Sequence, residues 1–249
     1  MPDHSGMKLG RQAVKTDART LRLGNYLNPA LPPPPPAVDW THGVTGWGMM
    51  LNDQVNSCTI SAIAHAVQVW TANNGGIVTI SDSAIEKAYG TWAGYDPDRP
   101  DTDTGGIELD ILKNWKRDSL DGHELIAFAD ADISNFIELR QAIRVFGGIY
   151  IGLDLPLSCQ FQEVWDVVPG GGPNALKGSW GGHCVFVPKY DEGAFSCISW
   201  AELKPMTVAF VQAYCDEAHV LLGQDWLNAR GSPAGYNHDQ LLADLAAIR

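Results

Sequence analysis

Cys58 and His183 are the residues whose types and settings favour chemistry. Cys58 opens the apolar-periodic segment CTISAIAHAVQVWTA (58–72), just after the turn-rich run Asn52-Asp53-Gln54-Val55-Asn56-Ser57. A thiol in the first turn of a helix sits at the positive end of the helix dipole, which lowers its pKa and favours the nucleophilic thiolate. His183 follows Gly181-Gly182 and leads the apolar run HCVFVP. Two glycines allow close backbone approach and leave an imidazole edge accessible, so His183 can take the thiol proton and hold the ion pair. Together the two residues predict a thiolate nucleophile with an acid/base partner. Taken singly, each has a structural alternative: a small buried cysteine and a satisfied core histidine.

Other chemistry-bearing residues read differently. His65 lies on the helical face of Cys58 but about 10 Å along the axis, too far for direct proton transfer, and is expected in the core or cleft wall. Asp53 is a candidate helix cap. Asp96, Asp98, Asp101 and Asp103 have the composition of a calcium loop without its terminal bidentate Glu, so a solvated loop is expected. Cys184 adjoins His183, but strand alternation sends the two to opposite faces, which argues against a zinc site there. Trp165, Trp180 and Trp200 are candidates for lining a cleft. Gly170-Gly171-Gly172 lacks the strand–turn–helix setting of a phosphate loop and reads as a rim loop. No metal and no cofactor is expected.

The elements that must hold Cys58 and His183 fall into two halves. Helices are expected at 58–72, from the Ser81-Asp82-Ser83 cap to about Tyr89, and over Ile107–Asp118 with Leu109, Leu112 and Trp115 on one side. The second half has short β-like runs at Glu124–Ala129 and Gly148–Leu153 around an amphipathic helix at Asn135–Phe146. A hairpin follows, with strands His183–Pro188 and Ala194–Trp200 turning at Asp191-Glu192-Gly193. That turn places His183 roughly across from Ser199, Trp200 and Ala201, where Ser199 and Trp200 can orient and cover the imidazole. A short helix at Thr207–Tyr214, a strand at Ala218–Leu222 and a small helix near His238–Ile248 complete the chain. The layout is α+β, with a cleft between unlike halves as the expected site.

Four segments are expected: an N-terminal arm at 1–37 with the Pro32–Pro36 strap, a helical unit at 38–120, a β unit at 121–223 and a tail at 224–249. The strap can alternatively serve as a docking peptide. The 249 residues are 45% hydrophobic and 18% charged, enough for a sizeable core. The formal charge of −12 argues against nucleic-acid partners. No apolar run approaches the roughly 18 residues of a membrane span, and the N-terminus lacks a signal-peptide core, so a cytoplasmic location is expected. Five cysteines, at 58, 159, 184, 197 and 215, form no CxxC pair, which argues against a disulfide framework.

The ordered set of these features resembles the papain-like cysteine peptidases over about Val38–Leu222. Val38-Asp39-Trp40, Asn52 and the helix-opening Cys58 resemble the start of the mature enzymes. Ser81-Asp82-Ser83-Ala84-Ile85 resembles the capped second helix, and Gly105-Gly106 the Gly-Gly that leads the third. Gly182-His183-Cys184-Val185 and Ser199-Trp200 resemble the histidine strand and the Ser-Trp that follows. The resemblance implies a helical N-terminal half packed on an antiparallel, β-barrel-like C-terminal half, with the active-site cleft between them. It implies Cys58 as nucleophile, His183 as acid/base, and an oxyanion donor at Asn52 or, with a local deletion, at Gln54. Gly105, Gly106, Gly182 and Trp180 then bind substrate. Thr59 stands where the family has tryptophan, and Ile198 where it has the asparagine that orients the histidine, leaving Ser199, a carbonyl or a water for that task. The implied activity is hydrolysis of peptide or amide bonds. Alternatives are an esterase or acyltransferase using the same dyad, and a catalytically silent peptide-binding module. A peptide or small acyl substrate is the expected partner; the sequence leaves the oligomeric state open.

Overall fold

The computed structural model describes residues 2–27, 32–230 and 239. Its centre is α1 (Cys58–Ala72), apolar nearly all round and therefore buried nearly all round. Trp70 on α1 stacks on Trp115 at 6.2 Å and meets Phe186 edge-on at 6.0 Å, tying the helical half to the sheet. Two further helices complete that half. In α2 (Asp82–Ala93) the Ser81 side chain accepts from the Ala84 N–H, and left-handed Gly94 ends the helix. The third, α3 (Glu108–Arg117), carries acids in its first turn and bases in its last, and buries Leu109, Leu112 and Trp115.

The other half is an antiparallel sheet of β1 (Val38–Asp39), β2 (Leu125–Asp130), β3 (Ile149–Leu155), β4 (Gly181–Tyr190), β5 (Ala194–Ser199), β6 (Glu202–Thr207) and β7 (Cys215–Gly223). The strand order is β2-β7-β3-β4-β5-β6, with β1 added on β4. Helix α4 (Phe136–Phe146) begins where Asn135 accepts from the Glu138 N–H. Two short helices, α5 (Val208–Tyr214) and α6 (Gln224–Arg230), flank β7. Helix α1 packs against β4, the strand that carries His183. The architecture is α+β, and the sheet is not closed.

Two features depart from the sequence reading. Residues 202–207 form a strand, although Pro205 and the charged Glu202 and Lys204 give no strand signal. The proline is tolerated because the side of β6 away from β5 meets only Trp165, which donates to the Pro205 carbonyl and accepts from the Thr207 N–H and so asks no donor of Pro205. The β5–β6 connection is a turn in which Trp200 (φ 46°) and Ala201 (φ 61°) both lie in the left-handed region. A helix near His238–Ile248 lies, apart from Asp239, outside the described residues.

The N-terminal residues are woven into the body. Leu23 and Tyr26 are buried beside Ala127, Phe146 and Leu222. The Pro32 and Pro35 carbonyls accept from Gln141 Nε2 at 2.6 Å and Tyr190 Oη at 3.0 Å. No described helix is long and apolar enough to cross a membrane.

Candidate active site

Cys58 sits at the first position of α1. Ser57, the residue before it, does not cap the helix with its side chain; its hydroxyl bonds Ser61 Oγ and the Met50 carbonyl instead. The first-turn N–H groups therefore keep their capacity to donate. Asp53 does not cap either: it is exposed on the preceding turn. That turn is fixed by Asp103, whose Oδ1 accepts from the Asn56 N–H at 2.9 Å and from Tyr89 Oη at 2.8 Å. Cys58 Sγ faces the backbone N–H groups of Cys184 and Thr59.

His183 stands near the start of β4 with its Nε2 2.8 Å from Ser199 Oγ. Trp200 stacks on the imidazole at 4.5 Å, and Trp180 packs on Trp200 at 5.3 Å with the rings tilted by 39°. The left-handed backbone at Trp200 is what turns the indole back over the ring; such a conformation costs about 1–3 kcal/mol and persists only where its surroundings impose it. His183 Nδ1 is buried without a hydrogen-bond partner. Cys184 turns its thiol the other way, to Tyr150 Oη and Glu108. Ile198, 1% exposed, is core.

Asn52 is buried and shares a small cavity with His183, Ser199, Trp200 and His65. Gln54 is exposed on the turn, outside that cavity. His65 hydrogen-bonds the Gly48 carbonyl at 3.0 Å as part of the wall.

The groove between the halves is filled by the chain's own residues 8–12. Trp200 Nε1 donates to the Lys8 carbonyl at 3.0 Å, and Asn52 Nδ2 to the Leu9 carbonyl at 3.3 Å. The Gly10 and Arg11 N–H groups both point at the Gly182 carbonyl, at 3.2 and 3.0 Å. Gly106 N–H donates to Gly10 O at 2.8 Å, and Gly106 O accepts from Gln12 N–H at 2.9 Å. A Cβ on Gly10 would collide with the Asn56 carbonyl, and one on Gly105 with the Gly10 carbonyl; both glycines also have positive φ. Gly105, Gly106 and Gly182 thus line the path of residues 8–12, and Trp200 meets that path at Lys8.

One expectation is reversed. The helix dipole was expected to lower the Cys58 pKa, but complete burial pushes the thiol up to about 12, with Arg11 of the arm acting against the rise. Burial, with Arg11 nearby, pushes His183 down to about 3. In the covered form both groups are neutral.

The arm also brings a residue that sequence reasoning passed over. Arg11, its side chain 1% exposed, donates to Glu217 Oε1 at 2.9 Å, Asp154 Oδ1 at 2.7 Å and Asp216 Oδ2 at 2.7 Å. Glu108 Oε1 lies 4.0 Å from its Nε. Glu108, Glu217 and His219 each bring a donor atom within 4.8 Å of the others, a spacing open to a metal, and the Arg11 guanidinium is the cation beside them. The acids come from α3, β3 and β7, far apart in sequence, so no local motif marks them.

No protein-family model and no curated protein matches the sequence. Solved structures do match in fold. Xylellain, a cysteine protease from Xylella fastidiosa, superposes with a TM-score of 0.64 at 14% identity, over 87% of this chain and 96% of its own. Procathepsin L 3 of Tenebrio molitor larval midgut gives a TM-score of 0.54 at 14% identity, over 82% and 75%. The Carica candamarcensis cysteine protease CMS1MS2, in complex with E-64, gives 0.51 at 15%, over 75% and 98%. With the helix bearing Cys58 and the strand bearing His183 on either side of the groove, this chain has the papain-like fold.

Proposed function

We propose that the chain is a cysteine peptidase whose N-terminal arm covers its own cleft. The observation that carries this reading is the course of residues 8–12: an extended peptide held by main-chain bonds to Gly182 and Gly106, with the Leu9 carbonyl on Asn52 Nδ2. A substrate in the same groove would use the same acceptors and donors. His183 Nδ1 takes the Cys58 proton, and the thiolate attacks the substrate carbonyl. Asn52 Nδ2 and the Cys58 backbone N–H hold the oxyanion; losing one such donor typically costs about 10²–10³ in rate. The imidazolium gives its proton to the leaving amine, and the thioester remains on Cys58. Water, deprotonated by His183, then releases the acid. Ser199 Oγ, accepting from Nε2–H, keeps Nδ1 free for the thiol proton.

The test is labelling of Cys58 by an epoxide of the E-64 type in a chain whose arm has been displaced, followed by peptide turnover. Labelling and turnover lost in His183→Ala support the reading. An unlabelled, inert Cys58 in an open, folded chain would sink it. A second reading, transfer of the acyl group to an acceptor other than water, is favoured by Ile198. A serine hydroxyl orients His183 less firmly than a side-chain amide, which suits esters and thioesters better than amides. An acyl-enzyme that turns over only with an added amine or alcohol would select this second reading.

A further inference from the structure

The groove's backbone contacts to residues 8–12 are indifferent to sequence; the Arg11 pocket is not. Two guanidinium nitrogens meet three carboxylates at 2.7–2.9 Å, from β3 (Asp154) and β7 (Asp216, Glu217), with Glu108 of α3 behind them. Glu108 is 0% exposed and Glu217 7%. Lys177 Nζ reaches Asp154 only at 4.0 Å, and His219 lies on the Glu108 and Glu217 side at 3.8 and 3.5 Å. If the arm leaves, buried Glu217 and the partly exposed Asp154 and Asp216 lose their guanidinium, leaving His219 and the more distant Lys177 beside them, so a replacement that brings a cation is favoured. A planar fork reaching three acceptors at once suits arginine, where a lysine ammonium presents a single point charge.

We infer that the Asp154–Asp216–Glu217 pocket selects substrates by an arginine side chain. The arm is the resident ligand of that pocket. Arg11 lies two residues from Leu9, whose carbonyl is on Asn52, so the selected arginine falls within about two residues of the reacting bond. This inference rests on the reading of the groove as a substrate site, and its test is therefore binding rather than turnover.

Gly10→Val in the full chain displaces the arm, because the new side chain collides with the Asn56 carbonyl while the pocket is untouched. Fluorescein-labelled peptides with the sequence of residues 6–14 are titrated into this variant by anisotropy, with Arg, Lys, Met or Glu at the position of Arg11. The arginine peptide is expected to bind at least tenfold tighter than the lysine peptide and about 100-fold tighter than the methionine peptide, with no binding of the glutamate peptide. Glu217→Gln and Asp216→Asn, placed in the same chain, should shrink the arginine preference. Equal affinities for Arg and Met peptides would overturn the inference. Arginine-selective binding without any cleavage would leave it standing and discard the peptidase reading alone. If Gly10→Val does not fold, Arg11→Ala decides. Ethylguanidinium at millimolar concentration should raise its Tm, and ethylammonium should not; equal effects, or none, would overturn the inference.

Discussion

Ser199 Oγ lies 2.8 Å from His183 Nε2, at the strand end where the papain-like family places an asparagine one residue earlier. The hydroxyl can pair with the ring nitrogen where Ile198 cannot, and the indole of Trp200 stacks on the imidazole. Removing it should leave the ring stacked but free to present either tautomer. A neutral hydrogen bond contributes about 1 kcal/mol. Ser199→Ala in an arm-displaced chain should therefore slow Cys58 acylation about fivefold, without changing the KM for the acyl donor. A rate equal to that of the parent would show that another group orients His183.

Release of the arm should transform the reactivity of Cys58. At about 12 the covered thiol is ionised to roughly one part in 10⁵ at pH 7, whereas an ordinary cysteine near 8.5 reaches a few per cent. Gly10→Val should thus raise the iodoacetamide rate at Cys58 about 10³-fold, with Cys159 and Cys197 unchanged as buried internal standards. Gly182→Ala, whose Cβ would meet the Arg11 carbonyl, should act in the same direction. Peptide mass spectrometry after timed labelling reads both.

Acid should weaken the covered form. Burial holds His65 down to about 4 and His183 down to about 3, against an ordinary 6.5. Below pH 6.5 the unfolded chain takes up protons that the folded chain refuses. Stability then falls by up to about 1.4 kcal/mol per pH unit for each ring, until the folded values are passed. His219 behaves oppositely: despite burial, hydrogen bonds to Asp130 and Glu217 raise it to about 9, so its contribution is complete below pH 6.5 and fades as pH rises through 9. The Tm should drop between pH 6.5 and 4, and His65→Asn, which can still donate to Gly48 O, should flatten that limb. An unchanged slope would mean His65 titrates normally.

The β5–β6 turn offers a stabilising substitution. Ala201 has φ 61° and a partly exposed side chain. Glycine adopts this conformation without the Cβ clash, a relief of about 1 kcal/mol. Ala201→Gly should raise Tm by a few degrees, while Trp200→Gly, which removes the cover of His183, should slow acylation despite the same backbone relief.

Much of the fold was legible because it rests on local patterns. The largely apolar α1, the Ser81 and Asn135 caps, and the Asp191-Glu192-Gly193 turn each announce themselves within a few residues, and the hairpin register brings Ser199 to His183. The path of residues 8–12 was not legible. Backbone bonds to Gly182 and Gly106 leave no periodic trace, and Arg11 reads as one surface base among several. The direction of the Cys58 shift was not legible either, since it comes from complete burial of the thiol in the packed structure. Strand β6 was missed for a related reason: its identity comes from pairing with β5, not from its own residues.

The Pro32–Pro36 run has its first and fourth carbonyls bonded to Gln141 and Tyr190, so it anchors the arm to the body about 20 residues beyond the groove. An arm that lifts away remains tethered. Its local concentration stays in the millimolar range typical of short linkers, however dilute the protein. Substrate then competes with an intramolecular rival, and diluting the enzyme does not relieve the competition. Cutting the chain once between residues 12 and 32 would turn that rival into a separate ligand, free to diffuse away.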